Sequence, residues 1–109
     1  MPKNDQLLGA LDLLILKTLA QLGSMHGYGI ALHIQRVSDD LLRVEEGSLY
    51  PALHRIEESR WIASEWRTSK NNRRAKYYKL TAEGRKQLAK EEQSWERVVA
   101  GIGNLLKFA

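Results

Sequence analysis

Apolar residues recur at helical spacing through the first fifth of the chain. The stripe consists of Leu7, Leu8, Leu11, Leu14, Ile15, Thr18, Leu19 and Leu22. Leu13 and Leu16 extend it around most of the circumference, and a helix that is apolar on nearly all sides is covered on more than one side. We expect a second subunit to supply part of that cover. Gly23 predicts the end of this helix, because glycine commonly follows the last helical residue.

The same periodicity predicts two more helices after a tight connection at residues 24–29. The second helix carries on one side Ile30, Ala31, Ile34, Val37 and Leu41, with a turn at residues 38–40 near its end. The third helix covers residues 48–59, and its core side consists of Leu49, Ala52, Leu53 and Ile56. Its other side displays Tyr50, Pro51, His54, Arg55 and Glu58. Ser48 is predicted as its N-cap and Pro51 within its first turn, where a missing N–H costs little.

Period-two patterns follow at residues 61–67 and 75–80, and the polar residues 68–74 separate them. This arrangement predicts a β-hairpin with a basic tip. Thr81 is the expected cap of a last long helix that includes Gln87 through about Lys107. The order α-α-α-β-β-α predicts a mainly α (α+β) fold: a winged helix-turn-helix domain at residues 1–80 and an additional C-terminal dimerisation helix at residues 81–109, in one compact unit.

The third helix has the chemistry of a DNA-recognition helix. Tyr, Pro, His and Arg together near a helix N-terminus suit an element that meets base edges and phosphates. The alternative is a surface helix with ordinary polar residues, in which Arg55 pairs with Glu58 or Glu45. Tyr28, at the start of the second helix, either contacts a phosphate or packs beside the glycines of the turn. Together with the hairpin, the predicted DNA-binding residues are Ser48, Tyr50, Pro51, His54, Arg55, Tyr28, Lys70, Asn72, Arg73, Arg74 and Lys76.

Positive charge is concentrated in the hairpin. The net charge of the chain is +4, and six Lys or Arg but no Asp or Glu lie between Arg67 and Lys79. Each cation that neutralises a phosphate releases counterions, which drives salt-sensitive binding, and an Arg at a hairpin tip can enter a narrow minor groove. The alternative is a solvated loop, but its place directly after a helix-turn-helix favours a DNA-binding wing.

The last helix carries an apolar seam that suits a second subunit. Leu88, Trp95 and Ile102 are spaced by 7, Val98 and Leu105 approximate the other seam position, and Glu91 interrupts the pattern. The alternative is packing on the first helix. The predicted dimer interface is Leu7, Leu8, Leu11, Leu88, Trp95, Val98, Val99, Ile102, Leu105 and Leu106. Trp95 is either interface core or, with Val99, part of a site for a flat apolar ligand.

Several classes of function are disfavoured. The chain has no Cys, its three His lack metal-ligand spacing, and it contains no nucleophile elbow, zinc-protease motif or glycine-rich phosphate loop, so we expect neither an enzyme nor a cofactor or metal. Without a membrane-length apolar run or a signal peptide pattern, the cytoplasm is expected. Two rival functions remain: a winged-helix protein-interaction module, and an RNA-binding module in which Tyr77 stacks on bases.

Five segments resemble the PadR family of bacterial transcriptional regulators. They are residues 11–17 (LDLLILK), 25–30 (MHGYGI), 46–53 (EGSLYPAL), 72–78 (NRRAKYY) and 80–81 (LT), in the order of the family and over most of the chain. Ser24 stands where Pro is common in the family, and the single helix after the wing resembles the subgroup with a short C-terminal region.

The resemblance implies properties beyond those that the residues indicate by themselves. It implies a homodimer held by the N-terminal and C-terminal helices and bound to double-stranded DNA at a palindromic operator, usually as a repressor. It also implies that a small aromatic or lipophilic effector releases the DNA, with Trp95 and Val99 as candidate ligand-binding residues in a pocket between the subunits.

Overall fold

The described part of the chain forms four helices and a small antiparallel sheet. A computed structural model describes residues 5–68 and 70–107, with side chains from residue 10 onward. The elements are α1 (Asp5–Leu22), β1 (Met25–His26), α2 (Gly27–Val37), α3 (Glu46–Glu58), β2 (Ile62–Thr68), β3 (Arg74–Leu80) and α4 (Ala82–Leu106). The three strands pair in the order β1-β3-β2, and both pairs are antiparallel. The α+β prediction and the order of its main elements are confirmed.

The helix α1 is the centre of the core. Leu11, Ile15, Leu16 and Leu19 are all buried, and α1 contacts α2, α3, α4 and β3. The chain itself therefore covers the middle of α1 on several sides. We had expected a second subunit to supply part of this cover. Leu7 and Leu8 lie outside the residues whose side chains the structure describes.

The second helix ends earlier than its apolar periodicity predicts. Asp39 and Asp40 have φ angles of 53° and 66°, so the backbone turns into the left-handed region directly after Ser38. Asp tolerates this region better than most residues because its short polar side chain bonds locally. Leu41 therefore lies outside the helix and is 85% exposed, so its assignment to the second helix was wrong.

The third helix begins earlier than predicted. The Glu45 carbonyl accepts hydrogen bonds from the N–H groups of Ser48 and Leu49, at 3.0 and 2.9 Å, which makes Glu45 the N-cap. Ser48 is therefore a residue of the first helical turn rather than the cap, and Pro51 falls in the second turn. Glu46 favours the earlier start, because a carboxylate in the first turn complements the helix dipole.

The strand β1 was not predicted. Met25 pairs with Tyr78 and His26 with Tyr77, which adds a third strand to the predicted hairpin. Two residues are too few to show the alternation by which a strand is recognised. The His26 Nδ1 atom accepts a hydrogen bond from the Gly29 N–H at 3.0 Å, so this side chain caps α2.

The start of α4 is fixed by the predicted cap. The Thr81 hydroxyl oxygen accepts a hydrogen bond from the Gly84 N–H at 2.9 Å, and it lies 2.7 Å from the Arg60 carbonyl oxygen. Gly84 is buried against the turn before β2, where a Cβ atom would overlap the Trp61 carbonyl oxygen. The absence of a side chain at Gly84 thus lets α4 approach the backbone of the hairpin.

Replacing Gly84 by Ala should lower the free energy of unfolding. The added Cβ meets backbone atoms, which cannot rotate away, so the helix must shift. Overpacking of this kind costs about 1–3 kcal/mol. Urea denaturation followed by circular dichroism measures the change.

Gly101→Ala is the matched control on the same helix. A Cβ atom there meets nothing within 4 Å. Alanine should therefore raise the stability, since Gly in a helix interior is less favourable than Ala by about 0.5–1 kcal/mol. Equal destabilisation by the two substitutions would contradict the close approach at Gly84.

Candidate nucleic-acid interface

A cleft of about 800 Å³ opens between the hairpin and the starts of α2 and α3. We call it the wing cleft, and its lining residues are His26, Gly27, Tyr28, Tyr50, Trp66, Asn71, Arg73, Arg74, Ala75, Lys76, Tyr77 and Tyr78. It brings together five of the residues predicted to bind DNA, namely Tyr28, Tyr50, Arg73, Arg74 and Lys76. These lining residues include three cations and no carboxylate, so the cleft suits an anion.

Two tyrosines present their phenol rings at this cleft. Tyr28 is 66% and Tyr50 45% exposed. A Cβ atom on Gly27 would lie 2.9 Å from the Tyr50 ring, so the glycine leaves the space in which this ring rests against the first turn of α2. Both hydroxyl groups can donate hydrogen bonds to a phosphate.

The remaining predicted residues of α3 lie outside the wing cleft. Pro51 and His54 are exposed, and Ser48 is half-buried. The His54 Nε2 atom lies 3.6 Å from a carboxylate oxygen of Glu58 on the next turn. Pro51 and His54 thus remain accessible to a binding partner, whereas Ser48 exposes less of its surface.

Arg55 holds α3 against α1. Its guanidinium donates two hydrogen bonds to the Asp12 carboxylate, at 2.8 and 2.7 Å. Hydrogen bonding to Asp12 raises the pKa of Arg55, while partial burial opposes the rise. The partner is neither Glu58 nor Glu45, which the sequence had suggested. Arg55 is still more than half exposed, and its contact with DNA stays a prediction.

Glu57 ties α3 to both strands of the hairpin. Its carboxylate accepts a hydrogen bond from the Ser64 hydroxyl of β2 at 2.5 Å. The other oxygen lies 3.3 Å from the Lys76 ammonium of β3. The hydrogen bond from Ser64 and the interaction with Lys76 hold the pKa of Glu57 below its ordinary value, against a smaller opposing effect of burial. Lys76 therefore has a structural partner as well as a place in the wing cleft.

Each face of the hairpin carries one arginine over an aromatic ring, but only Arg67 also has a carboxylate partner among the described ion pairs. Arg67 lies 2.7 Å from a Glu65 carboxylate oxygen and 4.8 Å from the centre of the Tyr77 ring. Arg74 lies over the Trp66 ring at 5.2 Å. Sequence reasoning missed Trp66, because its contact with Arg74 depends on the register of the two strands.

The exposed part of the hairpin tip contains further predicted residues. Lys70 and Asn72 are exposed, and Asn72 has a φ of 59°, a left-handed conformation that Asn tolerates. Arg73 is also exposed, and it lines the wing cleft. Ser69, in the same loop, lies outside the described residues.

The predicted dimer residues divide into two groups. Leu11 is 1% and Leu88 7% exposed, so the protomer already buries them and they offer almost no surface to a second subunit. Trp95 is half-buried. The exposed members are Val98, Val99, Ile102, Leu105 and Leu106, all on the C-terminal half of α4. They form an apolar face for which the described residues provide no cover.

Trp95 and Val99 share a groove of about 410 Å³ between α4 and α1. Its other lining residues are Leu13, Glu92, Glu96 and Ala100. Leu13 was not among the predicted site residues, although its place on the first helix was recognised. The groove is apolar at its base and has two carboxylates beside it. Glu92 is paired with Lys17 at 2.8 Å, so Glu96 is the carboxylate that suits a positive charge on an apolar ligand.

The described part of the chain has neither a metal-binding cluster nor a membrane-spanning helix. Residues 5–68 and 70–107 contain no group of three or more His, Asp or Glu side chains placed to hold a metal ion. No helix within these ranges is long and apolar enough to cross a membrane.

Residues 15–90 match the model of the transcriptional regulator PadR-like family. The chain belongs to this family. PadR-like regulators bind DNA, so this chain is a DNA-binding transcriptional regulator. The family consists of transcriptional regulators rather than enzymes, which confirms that part of the prediction.

Solved structures of other PadR-like regulators share the fold. A transcriptional regulator from Clostridium thermocellum is 31% identical, with a TM-score of 0.82 over 92% of this chain and 96% of that chain. A PadR-like regulator from Bacillus cereus is 31% identical, with a TM-score of 0.77 over 96% and 100% of the two chains. A PadR family regulator from Eggerthella lenta is 30% identical, with a TM-score of 0.74 over 95% and 88%. The winged-helix prediction is thereby confirmed.

Replacing Glu57 by Gln should flatten the acid side of the stability profile. The folded-state pKa of Glu57 lies below its ordinary value of 4.5. Its ionised form therefore stabilises the fold above that value, and this contribution disappears as the pH falls through the folded-state pKa. Between about pH 7 and about pH 3, we expect the variant to lose less stability than the wild type, as measured by urea denaturation.

Glu58→Gln is the control one residue further along α3. Glu58 is exposed and contacts only His54, at 3.6 Å, among the described ion pairs. Its removal should leave the acid loss of stability close to that of the wild type. The tie between α3 and the hairpin would be refuted by identical pH profiles for Glu57→Gln and the wild type.

Proposed function

We propose that this PadR-like protein is a homodimeric, cytoplasmic repressor that recognises a palindromic operator and is released from it by a small-molecule effector. Residues 1–80 act as the DNA-binding unit, and residues 81–109 as the dimerisation helix. The observation that carries the proposal is the wing cleft, where three cations and two exposed tyrosines converge beside α3.

The recognition chemistry divides between two neighbouring surfaces. The cations and phenols of the wing cleft suit phosphates, which position a protein on the duplex without reading its sequence. Pro51 and His54 on the outward face of α3 suit the base edges of the major groove, since they are exposed at the same side of the helix. Specificity is therefore assigned to α3, and most of the salt-dependent affinity to the hairpin.

The dimer is supported by the bare apolar face of α4. Val99, Ile102 and Leu106 are all more than half exposed, and contiguous apolar surfaces of this kind mark interaction sites on soluble proteins. A two-fold axis through this face pairs identical residues from two chains. The two recognition helices then meet two half-sites, which accounts for a palindromic operator.

Selection of genome fragments by the purified protein should enrich a palindrome. We expect a dimer to bind the best fragment at least about a thousandfold more tightly than random duplex. Added to a transcription reaction, the same protein should lower synthesis from a promoter that contains this sequence. Weak, salt-labile binding with no enriched sequence would favour the alternative function, a winged-helix protein-interaction module.

Ile102→Asp serves as the dimerisation control for the same experiment. Its carboxylate would place two like charges at the two-fold interface, whereas the residue is exposed in the protomer, so the fold should persist. Sedimentation should show a monomer that has lost palindrome affinity but keeps weak binding to a single half-site. A dimer that persists with full affinity would place the interface elsewhere.

The effector proposal rests on the groove beside Trp95. An indole at the base of an apolar groove offers a surface for a flat ligand. Glu96 favours a cationic one, whereas the charge of Glu92 is already balanced by Lys17. A ligand shifts the dimer away from DNA only if it binds the two states unequally. In this arrangement the ligand acts at α4, remote from the wing cleft.

A lipophilic aromatic cation, such as a dye of the acridine class, should weaken operator binding by the wild type. Trp95→Ala should reduce this response at least about tenfold, because it removes the stacking surface. Fluorescence anisotropy of labelled operator, titrated with the dye, measures the effect. Dye that displaces DNA equally well from both proteins would be acting on the DNA itself, and the groove would lose its assigned role.

A further inference from the structure

Two arginine–aromatic pairs lie on opposite faces of the hairpin. Trp66 pairs with Lys76 in the strand register, so Arg74, two residues away along β3, is its diagonal neighbour on the same face. Arg67 and Tyr77 form the equivalent diagonal pair on the other face, because Glu65 pairs with Tyr77. The centre of each guanidinium lies over the ring of its partner, at 5.2 and 4.8 Å respectively.

The two pairs differ in the charge around them. Arg67 donates hydrogen bonds to Glu65 at 3.1 and 2.7 Å, so its positive charge is already balanced. Within the described residues, Arg74 has no carboxylate partner in any ion pair, and its guanidinium rests on the Trp66 ring. Only the Arg74 pair combines an ordered guanidinium with an unbalanced charge at the wing cleft.

Trp66 is also unusual as a surface residue. It is 59% exposed on β2, so the core of the domain covers only part of its side chain. The Lys76 side chain on the same face is held by Glu57 of α3, which shows that this face of the hairpin turns toward the recognition helix. Trp66 and Arg74 therefore stand at the wing cleft together with Tyr50.

We propose that Trp66 is a positioning residue for DNA binding: its indole holds the Arg74 guanidinium at the wing cleft, where Arg74 meets a phosphate of the DNA backbone. Trp66 acts through Arg74 rather than by touching DNA. The inference rests on the proposed function, because it requires duplex DNA to occupy this cleft, and it adds a residue that the wing chemistry alone does not assign.

The physical reason is the loss of side-chain freedom on binding. A free arginine has many rotamers, and fixing one of them on DNA costs affinity. The face of an indole attracts a guanidinium and leaves its edge N–H groups free for hydrogen bonds. Arg74 is thus ordered before the DNA binds, so its side-chain entropy is lost on folding and not on binding.

A double-mutant cycle tests the inference on the full-length chain. The variants are Trp66→Leu, Arg74→Ala and the two combined, each titrated against a fluorescein-labelled duplex over a series of salt concentrations. We expect Trp66→Leu to weaken binding about threefold per wing, and so about tenfold for a dimer with both wings on DNA. Its salt dependence should stay close to that of the wild type, because the charge of Arg74 remains.

Arg74→Ala should weaken binding at least as much and should also reduce the salt slope, by about 0.9 for each phosphate that is no longer neutralised. In this background, Trp66→Leu should have no further effect. Equal effects of Trp66→Leu in the presence and absence of Arg74 would overturn the inference, since Trp66 would then act independently of the arginine. An unchanged affinity for Trp66→Leu in the wild-type background would overturn it as well.

Two conservative variants distinguish positioning from a structural role. Trp66→Phe keeps an aromatic face and should retain most of the affinity that is missing in Trp66→Leu. Arg74→Lys keeps the charge but not the planar group, so it should weaken binding with little change in salt slope. Arg74 is exposed, so this variant tests the pair even where Trp66→Leu fails to fold. Wild-type affinity for Arg74→Lys would contradict the role of the stacked guanidinium.

The opposite face of the hairpin supplies a matched control. The double substitution Glu65→Gln with Arg67→Gln removes an arginine–aromatic pair from the same two strands without changing the net charge. Its affinity for DNA should remain within about twofold of the wild type, since the charge of Arg67 is already balanced. A loss as large as that of Trp66→Leu would show that any change to the hairpin weakens binding, and would overturn the specific role of Trp66.

The test separates this inference from the proposed function. A wild-type protein that binds duplex DNA without preferring any sequence would contradict the operator proposal. The cycle can still be read on random duplex at low salt, because phosphate contacts do not depend on base sequence. Conversely, an operator bound specifically with no coupling between Trp66 and Arg74 would leave the repressor proposal intact and remove the role of Trp66.

Discussion

The burial of α1 on several of its sides organises the whole molecule. Leu11, Ile15, Leu16 and Leu19 are each almost completely shielded from solvent, and no single neighbouring element could cover them. Helices α2, α3 and α4 and the strand β3 all pack on α1 for this reason. The helices α2 and α3, the strand β3 and the long C-terminal helix therefore share one support, and their relative placement follows from a single apolar helix.

Ion pairs around this core fix how α3, α4 and the hairpin are oriented relative to one another. Arg55 joins α3 to α1 through Asp12, and Lys17 joins α1 to α4 through Glu92 at 2.8 Å. Glu57 joins α3 to the hairpin. Isolated exposed ion pairs contribute little stability, but a bidentate arginine fixes an angle as well as a distance. The value of these pairs thus lies in orienting α3, whose outward face carries the residues that we propose to read DNA.

The sequence alone predicts the features that depend on neighbouring residues. Thr81 is the observed cap of α4, and Gly23 follows α1 with a φ of 81°, because both signals act within a few residues. The start of α3 was misplaced, since Ser48 is a good N-cap by type but the carbonyl of Glu45 begins the helix. Local signals competed there, and residue type alone did not decide between them.

Features that depend on distant residues were missed for a different reason. The partner of Arg55 is Asp12, 43 positions away, whereas the candidates from the sequence were near neighbours. The strand β1 exists only because β3 passes beside it, and the Trp66–Arg74 pair requires the hairpin register.

The two halves of α4 have different surroundings. Its first half rests on α1, where Leu88 is buried, and its second half carries the bare apolar face. In a dimer closed through that face, a change in the crossing of the two α4 helices would move each α1, because the pair Lys17–Glu92 and the groove beside Trp95 lie on the same helix pair. Since Asp12 of α1 holds Arg55 of α3, the displacement would carry the recognition helix with it. In the proposed dimer, α1 would thus link the groove beside Trp95 to the proposed DNA-binding surface of α3.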